Sequence, residues 1–139
     1  MRLVMDSWYS LLNGNVTYDS AEVPVYKEDA PYTTSGHYIL LRAEGQTWAA
    51  NKTVFADNVV VIVDVVTVFK HNINRYVVDS IDEQIFNLVF QTPSIHLLDQ
   101  PAGKTIDGVV RETSTYIEEN DGVNSIYRKV SRYNQRVYS

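Results

Sequence analysis

Val59 to Phe69 reads Val-Val-Val-Ile-Val-Asp-Val-Val-Thr-Val-Phe. Nearly every residue is β-branched or aromatic, which suits a pleated strand and disfavours a helix. Alternation puts Val59, Val61, Val63, Val65, Thr67 and Phe69 on one face and Val60, Ile62, Asp64, Val66 and Val68 on the other. Neither face is polar. Such a strand belongs inside a sheet covered on both sides, or covered on one side and docked to a partner on the other. It is too short and too β-branched for a membrane-spanning helix, and Asp64 interrupts it.

Downstream the period changes from two to three-and-four. Val77, Val78, Ile81, Ile85, Leu88 and Val89 form one stripe of a helix, with Asp79, Ser80, Asp82, Glu83 and Asn87 mostly on the opposite side. Asn72 or Asn74 supplies the cap, and Pro93 ends the pattern soon after Phe90. Burying four of those aliphatic side chains against the strand contributes roughly 6–12 kcal/mol before entropy is subtracted. Strand and helix together are the expected core.

Outward from this unit, Leu3 to Leu12 predicts a short helix with Val4, Trp8 and Leu11 on its stripe and Asn13-Gly14 as its left-handed stop. Asn15 to Pro31 is extended, turn-rich and acidic, carrying Asp19, Glu22, Glu28 and Asp29. Within it Val23-Pro24-Val25-Tyr26 reads as an edge strand, because proline cannot donate to an inner ladder. His37 to Ala43 is a strand; residues 46–58 read as a polar connection turning into the valine strand, which makes the two an antiparallel hairpin. Thr92 to Gly103 reads as irregular chain anchored by Ile95, Leu97 and Leu98. Thr105 to Glu119 is a strand with Val109, Arg111, Thr113, Thr115 and Ile117 on one face. Asn120-Asp121-Gly122 signals a hairpin into a last strand, Val123 to Val137. That strand directs Ile126, Arg128, Val130, Arg132 and Arg136 one way and Tyr127, Lys129, Ser131, Tyr133 and Val137 the other. The order predicts one α+β domain over residues 1–139: a mainly antiparallel sheet with two helices packed on it.

Composition narrows the function classes. The chain of 139 residues is 45% hydrophobic, enough for a core. With no cysteine it offers no disulfide, thiolate metal site or thiol nucleophile. Met1 to Leu12 lacks the apolar core and small-residue cleavage site of a signal peptide, so the acceptor pattern Asn51-Lys52-Thr53 is read as chance. Net charge is −5, unevenly spread: residues 128–139 hold four of the twelve basic residues and none of the seventeen acids. An acidic body with a basic end, and ten tyrosines, suit a protein that meets other proteins.

No catalytic constellation stands out. His37, His71 and His96 have no metal-site spacing, and no nucleophile elbow is present. Gly103-Lys104-Thr105 matches only the tail of a phosphate loop, since Leu98 stands where its first glycine belongs. Asp64, an acid in an apolar strand, requires a partner such as Arg111, or a place at the sheet edge. The clearest charged feature is Arg128, Lys129, Arg132 and Arg136, interleaved with Tyr127, Tyr133 and Tyr138. It is a candidate contact for phosphate or an acidic protein, too small for tight independent DNA binding unless repeated around a ring.

In order and spacing, the chain resembles the tail-terminator and tail-completion proteins of tailed bacteriophages. The resemblance runs from the helix ending at Leu11-Leu12-Asn13-Gly14, through Ala30-Pro31-Tyr32, the strands His37–Ala43 and Val59–Phe69 and the helix Arg75–Phe90, to the hairpin Tyr116–Tyr133. It implies a structural virion protein, made in the host cytoplasm, forming a hexameric or dodecameric ring at the head–tail junction. Other neck, portal and tail-tube proteins would be its partners, with no catalysis, cofactor or membrane. Passing double-stranded DNA would touch it only non-specifically, and Asp79, Asp82 and Glu83 are candidate acids for the lumen. The competing reading is a cone-shaped α+β pocket similar to the nuclear-transport-factor-like family, with Asp64 and His37 or His71 as a polar pair in an apolar cavity.

Overall fold

The computed structural model describes residues 2–30, 36–50, 55–70, 74–92, 95–96, 98, 105–120 and 122–138. In chain order the elements are α1 (Arg2–Leu12), β1 (Thr17–Tyr18), β2 (Ala21–Glu22), β3 (Val25–Lys27), β4 (Tyr38–Ala50), β5 (Phe55–Phe69), α2 (Arg75–Val89), β6 (Phe90–Thr92), β7 (Ile95–His96), β8 (Thr105–Asn120) and β9 (Ser125–Tyr138). Five strands form the main sheet in the order β3-β4-β5-β9-β8, antiparallel throughout except for the short parallel pair of β3 with β4. The α+β expectation holds, and the valine strand lies at the centre of the sheet.

Both helices cover one face, called inner here. Val59, Val61, Val63, Val65 and Thr67 of β5 are fully buried there, with Val77, Val78, Ile81, Ile85 and Val89 of α2 and Val4, Met5, Trp8 and Leu12 of α1. Asn74 is the cap of α2: its side-chain oxygen accepts from the Tyr76 N–H at 3.1 Å. Gly14, at φ +79°, takes the left-handed conformation that ends α1. On α1 the buried stripe includes Met5, while Leu11 is half-buried.

Two stretches depart from expectation. Residues 46–58 are mostly strand: β4 runs to Ala50 and β5 begins at Phe55, so the hairpin extends well past the polar residues. Glu44-Gly45-Gln46 also reads as a break after Ala43, but a register shift at Ala43/Gly45 absorbs it, and cross-strand pairing overrides the local polarity. Within Thr92–Gly103, β6 and β7 form a small ribbon and Leu98 is buried; Leu97 and the placement of Ile95 within the core lie outside the described residues.

β8 carries two further register shifts, Asp107/Val110 and Arg111/Thr113. They change the phase of its alternation, so the predicted single face splits. Arg111 stands opposite Tyr133 on the inner side, while Thr113, Thr115 and Ile117 stand opposite the outward Arg132, Val130 and Arg128. The turn after β8 follows the Asn-Gly signal: Asn120 Oδ1 accepts from the Gly122 N–H at 2.8 Å, and Gly122 sits at φ +89°; Asp121 lies outside the described residues.

Candidate functional site

The outer face of the sheet has no helix on it among the described residues. Its apolar residues, Leu40, Val60, Ile62, Val68, Ile126 and Val130, are nevertheless only half-exposed, and Val66 is buried. Their cover comes from the same strands. Arg42 (β4), Asp64 (β5), Arg128 (β9) and Glu119 (β8) form one chain of ion pairs across four strands. Arg42 Nη2 donates to Asp64 Oδ2 at 3.1 Å, Arg128 Nε to Asp64 Oδ1 at 3.2 Å, and Arg128 Nη1 to Glu119 Oε1 at 2.9 Å; Arg128 Nη2 also pairs with Asp64. A second chain joins Glu44, Arg132 and Glu112, the latter pair at 3.7 Å. The heads of these arginines are paired above a face whose apolar residues are half-exposed or buried, an arrangement in which long stems can shield apolar surface.

Asp64 is therefore neither at an edge nor paired with Arg111. It sits on the central strand with its side chain 1% exposed, held by two guanidiniums. The sequence pairs β4 with β5 as a hairpin but does not show that β9 flanks β5 on the other side, and the two neighbours together supply the partners. Bonding to Asp64, opposed by burial and reinforced by the charges of Asp64 and Glu119, leaves the Arg128 pKa raised. Beside this pair runs a surface groove of about 230 Å³, bordered by Tyr38, Leu40, Val66 and Ile126. Burial, then the charge of Asp64, raises the Tyr38 pKa.

The four predicted basic residues do not form one patch. Lys129 points to the inner side, as alternation requires, where it pairs with Asp82 at 2.9 Å and Asp79 at 3.7 Å. Burial lowers its pKa, but the bond to and charge of Asp82 outweigh this, and the net direction is up. Arg128 and Arg132 are engaged in the outer ion pairs. Arg136 is exposed, with its guanidinium donating to the Tyr138 hydroxyl at 3.3 Å.

The three acids on α2 also part company. Asp79 and Glu83 are exposed, while Asp82 is 3% exposed and turned to the sheet, where Arg111 Nη1 donates to it at 3.0 Å. Tyr116 Oη donates to Asp79 Oδ1 at 2.7 Å, and this bond raises the tyrosine's pKa. The helix period alone puts Asp82 at the stripe's border; Arg111 and Lys129, on β8 and β9, draw it inward.

His37 lies at the start of β4, half-buried between Tyr18 and Phe69, and its Nδ1 accepts from the Val68 N–H at 3.3 Å. Burial lowers its pKa. His71, Gly103, Lys104 and the Asn51–Thr53 acceptor lie outside the described residues, and His96 belongs to β7. Among the described residues no three His, Cys, Asp or Glu side chains converge as a metal site, and no helix is long and apolar enough to cross a membrane. Asp64 is bonded to Arg42 and Arg128 and His37 to the Val68 N–H, so among the described residues these two are not each other's hydrogen-bond partners. What the geometry offers is a broad, charge-laced sheet face and two sheet edges.

No protein-family model matches the sequence, and no curated protein does. Among solved structures the fold is similar to that of a chain in the virion of a native gene transfer agent particle. The TM-score is 0.65 at 13% sequence identity, and the match covers 98% of this chain and 92% of that one.

Proposed function

We propose that this chain is a structural protein of a tailed-phage-like virion, a subunit of a ring at the head–tail junction that bridges portal or connector to tail without catalysis. The observation that carries the reading is the likeness of its whole fold, nearly end to end in both chains, to a chain of a gene transfer agent virion. The order of elements that resembles the tail-terminator proteins supports it from the sequence. So does the architecture: a long rigid sheet, both helices on one side, and a broad face and edges left for neighbours. In such a ring the exposed acids Asp79 and Glu83 on α2 would face the bore and repel passing DNA, while the outer face would meet adjacent copies or rings. Asp82, enclosed by Arg111 and Lys129, has a packing role instead.

The test is genetic and microscopic together. Removing the gene from its parent particle is expected to leave filled heads and finished tails unjoined, and the wild-type particle is expected to show the chain as a ring at the neck. Normally joined particles without the chain would overturn the proposal. So would a purified monomer with a small molecule in an apolar cavity, the outcome that the pocket reading requires.

A further inference from the structure

We propose that neighbouring copies join edge to edge, β8 of one copy pairing antiparallel with the free stretch of β4 of the next, so that their sheets run on without interruption. This deepens the ring reading above and rests on it. β8 is the last strand of the sheet, and no described strand pairs with its far side. From Thr113 to Asn120 it is regular, mostly exposed, and long enough for a full ladder. At the other end β3 covers only Ile39 to Leu41 of β4; from Arg42 to Ala50 no described strand lies on that side.

Single-chain proteins guard such edges with proline, lysine or bulges. Neither proline nor lysine occurs in Thr105–Asn120 or in Tyr38–Ala50, and the bulges of both strands lie outside the regular stretches Thr113–Asn120 and Gly45–Ala50. The acids of β8 provide little deterrent, since Glu112, Glu118 and Glu119 are paired with Arg132, Arg75 and Arg128 of the same chain. An edge whose charges are already neutralised accepts another strand without like-charge repulsion.

Strand direction selects the occupant. The strands β4, β5, β9 and β8 alternate, so β8 runs opposite to β4 within one chain. Rotation about an axis along the strands preserves direction, so the next copy's β4 also runs opposite to β8. The stronger antiparallel ladder then continues across the boundary. Two different edges meeting head to tail form a heterologous contact, the kind that closes into rings. A partner's extended arm would satisfy β8 alone; a second copy satisfies both edges at once.

The chain has no cysteine, so introduced pairs report one contact. Thr115→Cys is combined with Thr47→Cys or with Ala49→Cys, and the variants are oxidised both as purified protein and in assembled parent particles. A ladder of trimers and larger species on a non-reducing gel is expected from at least one double variant, and only monomer from Thr115→Cys alone. Dimers from Thr115→Cys alone would overturn the proposal, because two β8 edges would then be meeting. Absence of a ladder in both samples would also overturn it. In a second arm, Thr115→Pro and Tyr116→Pro each remove one N–H, one facing β9 and the other facing out. The outward one is expected to keep the melting temperature of the alanine variant at the same position and lose the ladder; a ladder that survives it would overturn the proposal. If the chain is in particles but never cross-links, the edge contact fails and the virion reading stands. If it is absent from particles yet purified protein cross-links, the reverse holds.

Discussion

The two faces of β5 carry almost the same apolar pattern and are covered in opposite ways. The inner face lies under two helices, and two of its polar groups bond to each other: the Trp8 indole N–H donates to Gln135 Oε1 at 2.9 Å, and the Gln135 amide donates to the Val59 carbonyl. The outer face lies under arginines, glutamates and one aspartate from the same four strands. Part of the cover on the outer face of this central strand is therefore supplied by paired charges of the same chain. Long charged side chains that pair above it remove much of its surface from water. The difference lies in what happens when one member is lost: a helix-covered core is left with a void, a charge lattice with an unpaired ion.

The inner face is expected to show the largest effect. Trp8 is fully buried and tilted against Tyr133 with ring centroids 4.8 Å apart. Trp8→Ala should cost about 3–5 kcal/mol in urea unfolding, through the cavity and the stranded Gln135 oxygen. On the outer face, Asp64→Ala leaves Arg42 and Arg128 without their shared carboxylate. Both guanidiniums keep some contact with water, so the cost should be smaller, about 1–3 kcal/mol. Replacing the whole triad, with Arg42→Leu, Asp64→Val and Arg128→Leu together, should return stability to within about 1 kcal/mol of wild type. If Asp64→Ala equals Trp8→Ala in cost and the triple variant does not recover, the contrast between the faces collapses.

His37 sharpens the contrast at the sheet margin. Its folded pKa is lowered by burial, so the unfolded chain binds the proton first as pH falls. Stability attributable to it is complete above about pH 6.5 and declines as pH drops toward the lower folded value. Protonation also takes away the acceptor that Val68 uses. His37→Gln should flatten the pH dependence of the melting temperature in that window; an unchanged slope would remove His37 from the account. The smallest effect is expected from Arg136→Ala, which should leave the melting temperature unchanged because the residue is exposed. If the basic end meets phosphate, the same variant should elute from a DNA column at lower salt, and an identical elution would exclude that contact for this arginine.

Periodicity made the elements legible. The 3.6-residue stripe of Val77 to Val89 placed its aliphatic side chains inward but left Asp82 on the polar side, where it does not stand, and the alternation of Val123 to Val137 placed side chains on the faces where they stand, down to Lys129 facing away from Arg128 and Arg132. Adjacency was not legible. Nothing in the sequence tells that β9 inserts between β5 and β8, and so Asp64 was matched with Arg111 when its partners are Arg42 and Arg128. Bulges were the second loss. Gly45 and the Asp107–Thr113 stretch shift the alternation by one residue, which turned a predicted break into strand and a predicted single face into two. The division of the basic cluster was illegible for a third reason: charge counted along a chain says nothing about which acids on other strands engage it.

The insertion of β9 between β5 and β8 has a kinetic side. On a ribosome the β4–β5 hairpin and α2 emerge well before β9, so the most apolar strand must wait with one edge unsatisfied. Val63 meets Ser131 only after most of the chain has been made. Long-range closure of this kind slows folding, and during synthesis the waiting valine edge is the segment most open to chaperone capture or to mispairing with another nascent chain.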